Sequence, residues 1–272
     1  GFESLAPRHY FLICSGNFLK RILGKSIKRA YYYRQGGVST CQLITEYTMQ
    51  DKGIYDLNVP GMESALSTNK VLRNTYMLLA MTLTFSAAMA GVAIAINLPQ
   101  GAALILMLVG FGLLFAVHRM ADTSKGIYAI FAFTGVMGLS IGPMLNFYLS
   151  MPGGPALVLQ ALGGTALIFF SLSAYTLTTR KDFSFLGGFL MTGLLVMIVA
   201  MIANIFLQIP ALSLSMSAGI VMIMSGLILY DTSRIINGGE TNYIRATVSL
   251  YLNIYNIFIH LLHLLTAFGG DD

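Results

Sequence analysis

The chain has 272 residues, 56% of them hydrophobic and only 10% charged, too few polar side chains to cover a water-soluble core, so lipid must be the solvent for most of it. The net charge of +5 is uneven: residues 1–61 carry eight Lys/Arg against four acids, and residues 62–272 carry eight against seven, a near balance that argues against nucleic acid as a partner. Both cysteines, Cys14 and Cys41, fall in the first part, which leaves the remainder without a disulfide, a thiol catalyst or a cysteine metal site.

Residues 1–61 are mixed in composition and contain no spanning segment. Apolar residues at 18, 19, 22, 23 and 27 alternate with Lys20, Arg21, Lys25, Lys28 and Arg29, a pattern suited either to an anionic membrane face or to a disordered tail. The run Phe11-Leu12-Ile13-Cys14 is too short for the apolar region of a signal peptide. Because Met62-Glu63-Ser64 stands just before the first membrane segment, residues 1–61 are expected to be an extension, disordered or artefactual, and residues 62–272 the membrane domain.

Seven apolar stretches follow, at about 72–97, 101–117, 126–149, 156–179, 183–209, 211–230 and 246–268. Each is near or above the ~20 residues that a helix needs to cross a hydrocarbon core. They are too long and too continuously apolar for barrel strands, so a seven-helix bundle is expected. Lys70 and Arg73 precede the first stretch; Arg119 and Lys125, Arg180 and Lys181, and Arg234 and Arg245 flank the second, fourth and sixth connections. The other three connections contain no Lys or Arg. By the positive-inside rule the first helix starts in the cytoplasm and the seventh ends outside.

In the third stretch Gly138 and Gly142, four residues apart, suit close helix packing, and Pro143 is able to kink or break the helix. Gly163-Gly164 and Gly187-Gly188 are read as packing residues too. The sixth stretch ends at Asp231, an acid at the membrane boundary and hence a candidate functional group, with Arg234 one turn on as its obvious partner. In the seventh, Ser249, Asn253, Asn256, His260 and His263 recur at intervals of 4, 3, 4 and 3 on one helical face, either interhelical hydrogen-bonding groups or one wall of a polar pathway. No phosphate-binding glycine loop, His-Glu-x-x-His motif or Gly-x-Ser-x-Gly elbow is present, so no enzyme, metal or cofactor is expected.

Four segments of residues 62–272 carry a family resemblance: Gly138-Leu139-Ser140-Ile141-Gly142-Pro143-Met144-Leu145, Lys181-Asp182-Phe183-Ser184-Phe185-Leu186, Leu229-Tyr230-Asp231-Thr232, and the run from Ser249 to Phe258. In this order they resemble the signature segments of the Bax inhibitor family of seven-helix membrane proteins. The stretches from Lys70 to Tyr76 and from Gly238 to Ser249 resemble its bacterial YccA-like branch. The resemblance implies an inner-membrane protein that binds and modulates the FtsH-type membrane protease without catalysis of its own. Its alternative implication is a pH-sensitive calcium or cation leak channel, with protons and calcium as partners, gated by two facing aspartates. Asp231 falls on the first aspartate position and Asn253 on the second, a departure that leaves no carboxylate pair to share a proton. His118 or Arg119 stands where the channel relatives carry a basic latch.

Overall fold

A computed structural model of the chain describes residues 60–269, and their side chains from Lys70 onward. The extension expected over residues 1–61 lies outside the described residues, except for its last two, which open the first helix. Seven helices follow in order: α1 (Pro60–Ala95), α2 (Gln100–Met120), α3 (Lys125–Leu149), α4 (Gly154–Thr179), α5 (Leu186–Leu207), α6 (Pro210–Ile236) and α7 (Tyr243–Gly269). All seven are long and apolar enough to cross a membrane, α1 through its Lys70–Ala95 portion.

α7 packs against α1, α2, α3, α4 and α6, and so forms the centre of the bundle. α5 touches α6 alone among the described helices, and α2 rests on α3 with a slight contact to α7. Burial follows from that arrangement: 56% of the most apolar window of α3 is buried, against 6% in α5. The outer helices are the ones most uniformly apolar in sequence, and large side chains such as Phe115, Leu195 and Phe206 cover their lipid-facing surfaces.

α1 and α3 approach closely because two glycines have no side chain in the way. A Cβ on Gly138 would lie 2.2 Å from the Ser86 carbonyl oxygen, and one on Gly142 would lie 2.3 Å from the Ala93 Cβ. Pro143 is buried in the same helix, which continues unbroken to Leu149, so of its two readings it does not break the helix. The two glycine pairs divide: Gly164 lies under Leu261 and Gly187 under Tyr230, whereas Gly163 and Gly188 face open space and do not pack.

The sixth apolar run stops at Tyr230, but α6 continues through Asp231, Thr232, Ser233 and Arg234 to Ile236. Hydropathy falls there, yet helical hydrogen bonding does not require apolar side chains, and Thr232 and Ser233 are buried. What ends the helix is the Asn237-Gly238-Gly239 turn, in which Gly238 takes φ 76°, a conformation that side chains strain to adopt. Asp231 is therefore inside a helix of the bundle, more than one turn from its end.

Candidate functional site

The antiparallel pair α6 and α7 carries most of the polar side chains that sequence reading selected. Near the basic-loop end, the Asn253 side-chain amide of α7 donates to Asp231 Oδ2 of α6 at 2.8 Å. Asn253 is only 4% exposed. An amide can donate to a carboxylate or accept from a carboxylic acid, so this partner accommodates either protonation state. Next to Asp231, the Thr232 hydroxyl is buried without a hydrogen-bond partner, as are those of Thr75 and Tyr76 on α1 and Ser173 on α4. All four lie toward the basic-loop ends of their helices, the end at which Asp231 also lies.

Arg234 is not the partner of Asp231. Its guanidinium turns outward, 3.7 Å from Glu240, donates to the Gly239 carbonyl oxygen at 3.0 Å, and lies 5.6 Å from the centre of the Tyr230 ring. A long cationic side chain at a membrane edge reaches for solvent, and the 237–242 turn offers it oxygen ligands there. Nor are His118 and Arg119 brought to Asp231. Both are exposed at the end of α2, a helix without contact to α6, and the His118 Nδ1 lies 2.9 Å from the Leu114 carbonyl oxygen of its own helix.

The stripe on α7 is divided rather than continuous. Ser249 is half-buried, and Asn256 donates to the Leu252 carbonyl oxygen of its own helix at 2.8 Å. His260 and His263 converge on α6, with their Nδ1 atoms 3.1 and 2.9 Å from the Ser217 Oγ. Between Ser217 and Asp231 the same face of α6 presents buried Ile220, Met224 and Ile228. Two polar stations are thus separated by an apolar band.

Two tyrosines that sequence reading missed complete the interior. The Tyr251 hydroxyl lies 2.7 Å from Ser86 Oγ on α1, and the Tyr255 hydroxyl 3.3 Å from Ser140 Oγ on α3. Their spacing of four residues on the most amphipathic helix was the available signal.

The loops at the basic end are pinned to α6 and α7. Ser233 Oγ accepts from the Phe183 amide at 2.9 Å and donates to the Lys181 carbonyl oxygen at 3.2 Å. Asn242 Oδ1 accepts from the amides of Ile244 and Arg245, at 2.9 and 3.2 Å, and so caps α7. Its amide nitrogen donates to the Ala121 carbonyl oxygen at 2.9 Å and to Asp122 Oδ1 at 2.8 Å, and Arg245 also pairs with Asp122. In the 180–185 connection the Ser184 hydroxyl and then the Ser184 amide, which donates to Asp182 Oδ1 at 2.8 Å, hold that carboxyl below the usual carboxylate range.

Among the described residues, no group of three or more His, Cys, Asp or Glu side chains is placed to hold a metal ion. Ser217 lies inside α6, about two turns from its start, where neighbouring backbone N–H groups are committed to helical bonds.

Residues 68–270 match the family model described as Inhibitor of apoptosis-promoting Bax1. The chain belongs to the Bax inhibitor family. It is 58% identical over 210 residues to the Escherichia coli protein named Modulator of FtsH protease YccA, an alignment covering 77% of this chain and 94% of that one. It is also 49% identical over 213 residues to an uncharacterized membrane protein of Vibrio cholerae, covering 78% and 96%, and 47% identical over 218 residues to an uncharacterized Pseudomonas aeruginosa protein, covering 80% and 98%. A second Escherichia coli relative, also 58% identical, is named Inner membrane protein YccA. Seven spanning helices and these relatives make the chain a multi-pass inner-membrane protein.

Proposed function

We propose that this protein binds an FtsH-type membrane protease and restrains it, without chemistry of its own. The reading rests on the 58% identity, over 94% of its length, to a relative named as a modulator of that protease. The architecture suits such a role. With the N-terminus cytoplasmic and the C-terminus outside, the orientation that the Lys/Arg distribution favours, the pinned 121–124, 180–185 and 237–242 connections form a cytoplasmic face. α2 and α5 offer apolar sides to a neighbouring membrane helix. Residues 1–61, which precede the family-matched region, are proposed to be dispensable for it.

The experiment is copurification of the tagged full chain with the protease from solubilised membranes, together with the degradation rate of a membrane substrate at increasing chain concentration. Stoichiometric recovery and slowed degradation are expected. Absence of both would overturn the proposal.

A second reading, a cation leak gated at Asp231, draws on a carboxylate held inside a spanning helix by one amide, with unpartnered hydroxyls at the same end. Calcium flux into liposomes at several pH values separates it from the first. A leak with weak pH dependence is expected, steeper in Asn253→Asp, where two carboxylates must share a proton, and pH-independent in Asp231→Asn. A steep response that survives Asp231→Asn would remove Asp231 as the gate.

A further inference from the structure

His260 and His263 are a second cluster, remote from the Asp231 station. They lie three residues apart on one face of α7, and their Nδ1 atoms approach a single oxygen, Ser217 Oγ, at 3.1 and 2.9 Å. Ser217 is 3% exposed, whereas both imidazoles are half-buried. At 1.5 Å per residue, Ser217 lies about 10 Å from the start of α6 and His263 about 9 Å from the end of α7. The cluster therefore occupies the outer third of the bundle, at the end away from the basic loops.

The serine hydroxyl has one proton. When it donates to one imidazole it can only accept from the other, so the two rings sit in different tautomers and at least one Nδ1 presents a lone pair to the shared point. Moving the second ring's proton from Nδ1 to Nε2 presents both lone pairs there, without loss or gain of a proton. We propose that His260, His263 and Ser217 bind a divalent transition-metal ion of the zinc, cobalt or nickel class, bridging α6 to α7. Imidazole nitrogens select these ions, and calcium and magnesium, which require several oxygen ligands, do not fit. No further His, Cys, Asp or Glu joins the cluster among the described residues, so water fills the remaining positions and the site is open rather than closed.

The chain's other two histidines, His9 and His118, and both cysteines, Cys14 and Cys41, are removed for the test by His→Ala and Cys→Ser changes in the full chain, so that the α7 pair is the sole imidazole source. Co2+ is titrated into this purified protein in detergent and followed by its visible ligand-field bands, then displaced with Zn2+. One equivalent is expected, with an increase in thermal stability on Zn2+ addition, because a ligand bound only by the folded state stabilises it. Binding should be lost in His260→Ala and in His263→Asn, which keeps a polar side chain of similar reach, and weakened about tenfold in Ser217→Ala. Circular dichroism confirms that each variant is folded. Absence of bands at sub-millimolar Co2+, or bands that persist in folded His263→Asn, would overturn the proposal.

Discussion

Gly138→Ala tests the claim that backbone proximity, not side-chain interlock, joins α1 to α3. The added Cβ would lie 2.2 Å from the Ser86 carbonyl oxygen and 2.9 Å from Ser86 C and Oγ, whereas ordinary contact begins at 3.4 Å. The deficit of about 1.2 Å falls on helix backbone, which cannot swing aside as the tip of a flexible side chain does. The helices must separate, and Ser86, whose hydroxyl also bonds Tyr251 on α7, would be displaced with α1. Overpacking of this kind costs roughly 2–3 kcal/mol, which corresponds to about a 30- to 150-fold change in the folded-to-unfolded ratio. Gly163→Ala is the matched control, since a Cβ there meets nothing within 4 Å and the substitution improves helix propensity. Reversible unfolding in bicelles, by steric trapping or SDS titration, measures both. If Gly138→Ala stays within about 0.5 kcal/mol of the parent, as an uncrowded surface substitution would, the packing argument is wrong.

Asn242→Ala removes the cap of α7 and the link to residues 121 and 122, and should cost about 1–3 kcal/mol in the same assay. Asp122→Asn should cost less than about 1 kcal/mol, with the difference shrinking at high salt, because its pair with Arg245 is exposed. A larger loss for Asp122→Asn than for Asn242→Ala would reverse that ranking. In cysteine-free protein, Ser150→Cys should be labelled by an impermeant reagent in intact cells and Ser124→Cys should be protected; the opposite pattern would invert the proposed topology. The Ser184 hydroxyl and amide hold the carboxyl of Asp182 below its unfolded value, so the stabilisation they provide is complete above the usual carboxylate range and fades as pH falls through the folded value. Melts of the parent and Asp182→Asn should therefore differ near neutral pH and converge in acid, and a difference that persists in acid would exclude this cause.

The bundle itself was legible because seven runs of spanning length leave few alternatives, and the inward-looking face of α7 was legible in its 3–4 polar spacing, whereas its central place was not. Helix ends were less so: the hydropathic run ends at Tyr230, while the backbone continues to Ile236 and stops where Gly238 allows a turn. Pairing of Asp231 with Asn253 came from the family resemblance, which sets these two positions facing each other across the sixth and seventh helices, and the Asn253 amide does donate to Asp231. Pairing failed for Arg234, whose long side chain has several oxygens within reach, and for His118 and Arg119, whose position in the chain carries no information about which helices touch. Ser217 was hidden among Ser213, Ser215 and Ser217; only the placement of α7 distinguishes it, while Ser215 bonds back to the Ala211 carbonyl oxygen of its own helix. Tyr251 and Tyr255 read as apolar until Ser86 and Ser140, more than a hundred residues away, are brought beneath their hydroxyls.

The division of α6 and α7 into two polar stations separates the two functional readings by what each requires of the fold. Protease binding uses outer surfaces and loops, and the bundle can remain as it is. Conduction along the α6–α7 seam must pass Ile220, Met224 and Ile228, whose buried side chains offer an ion no ligand to replace its water. A leak along this path thus demands that α6 and α7 separate, and the apolar band is its barrier. Met224→Gln keeps the length of the side chain and supplies a hydrogen-bonding group at mid-band, so it lowers that barrier without opening a cavity. Calcium flux in liposomes should rise in Met224→Gln while recovery of the protease is unchanged. Flux equal to the parent's, in a variant shown to be folded, would mean that ions do not travel between α6 and α7, and the Asp231 gate would lose the path that it is meant to close.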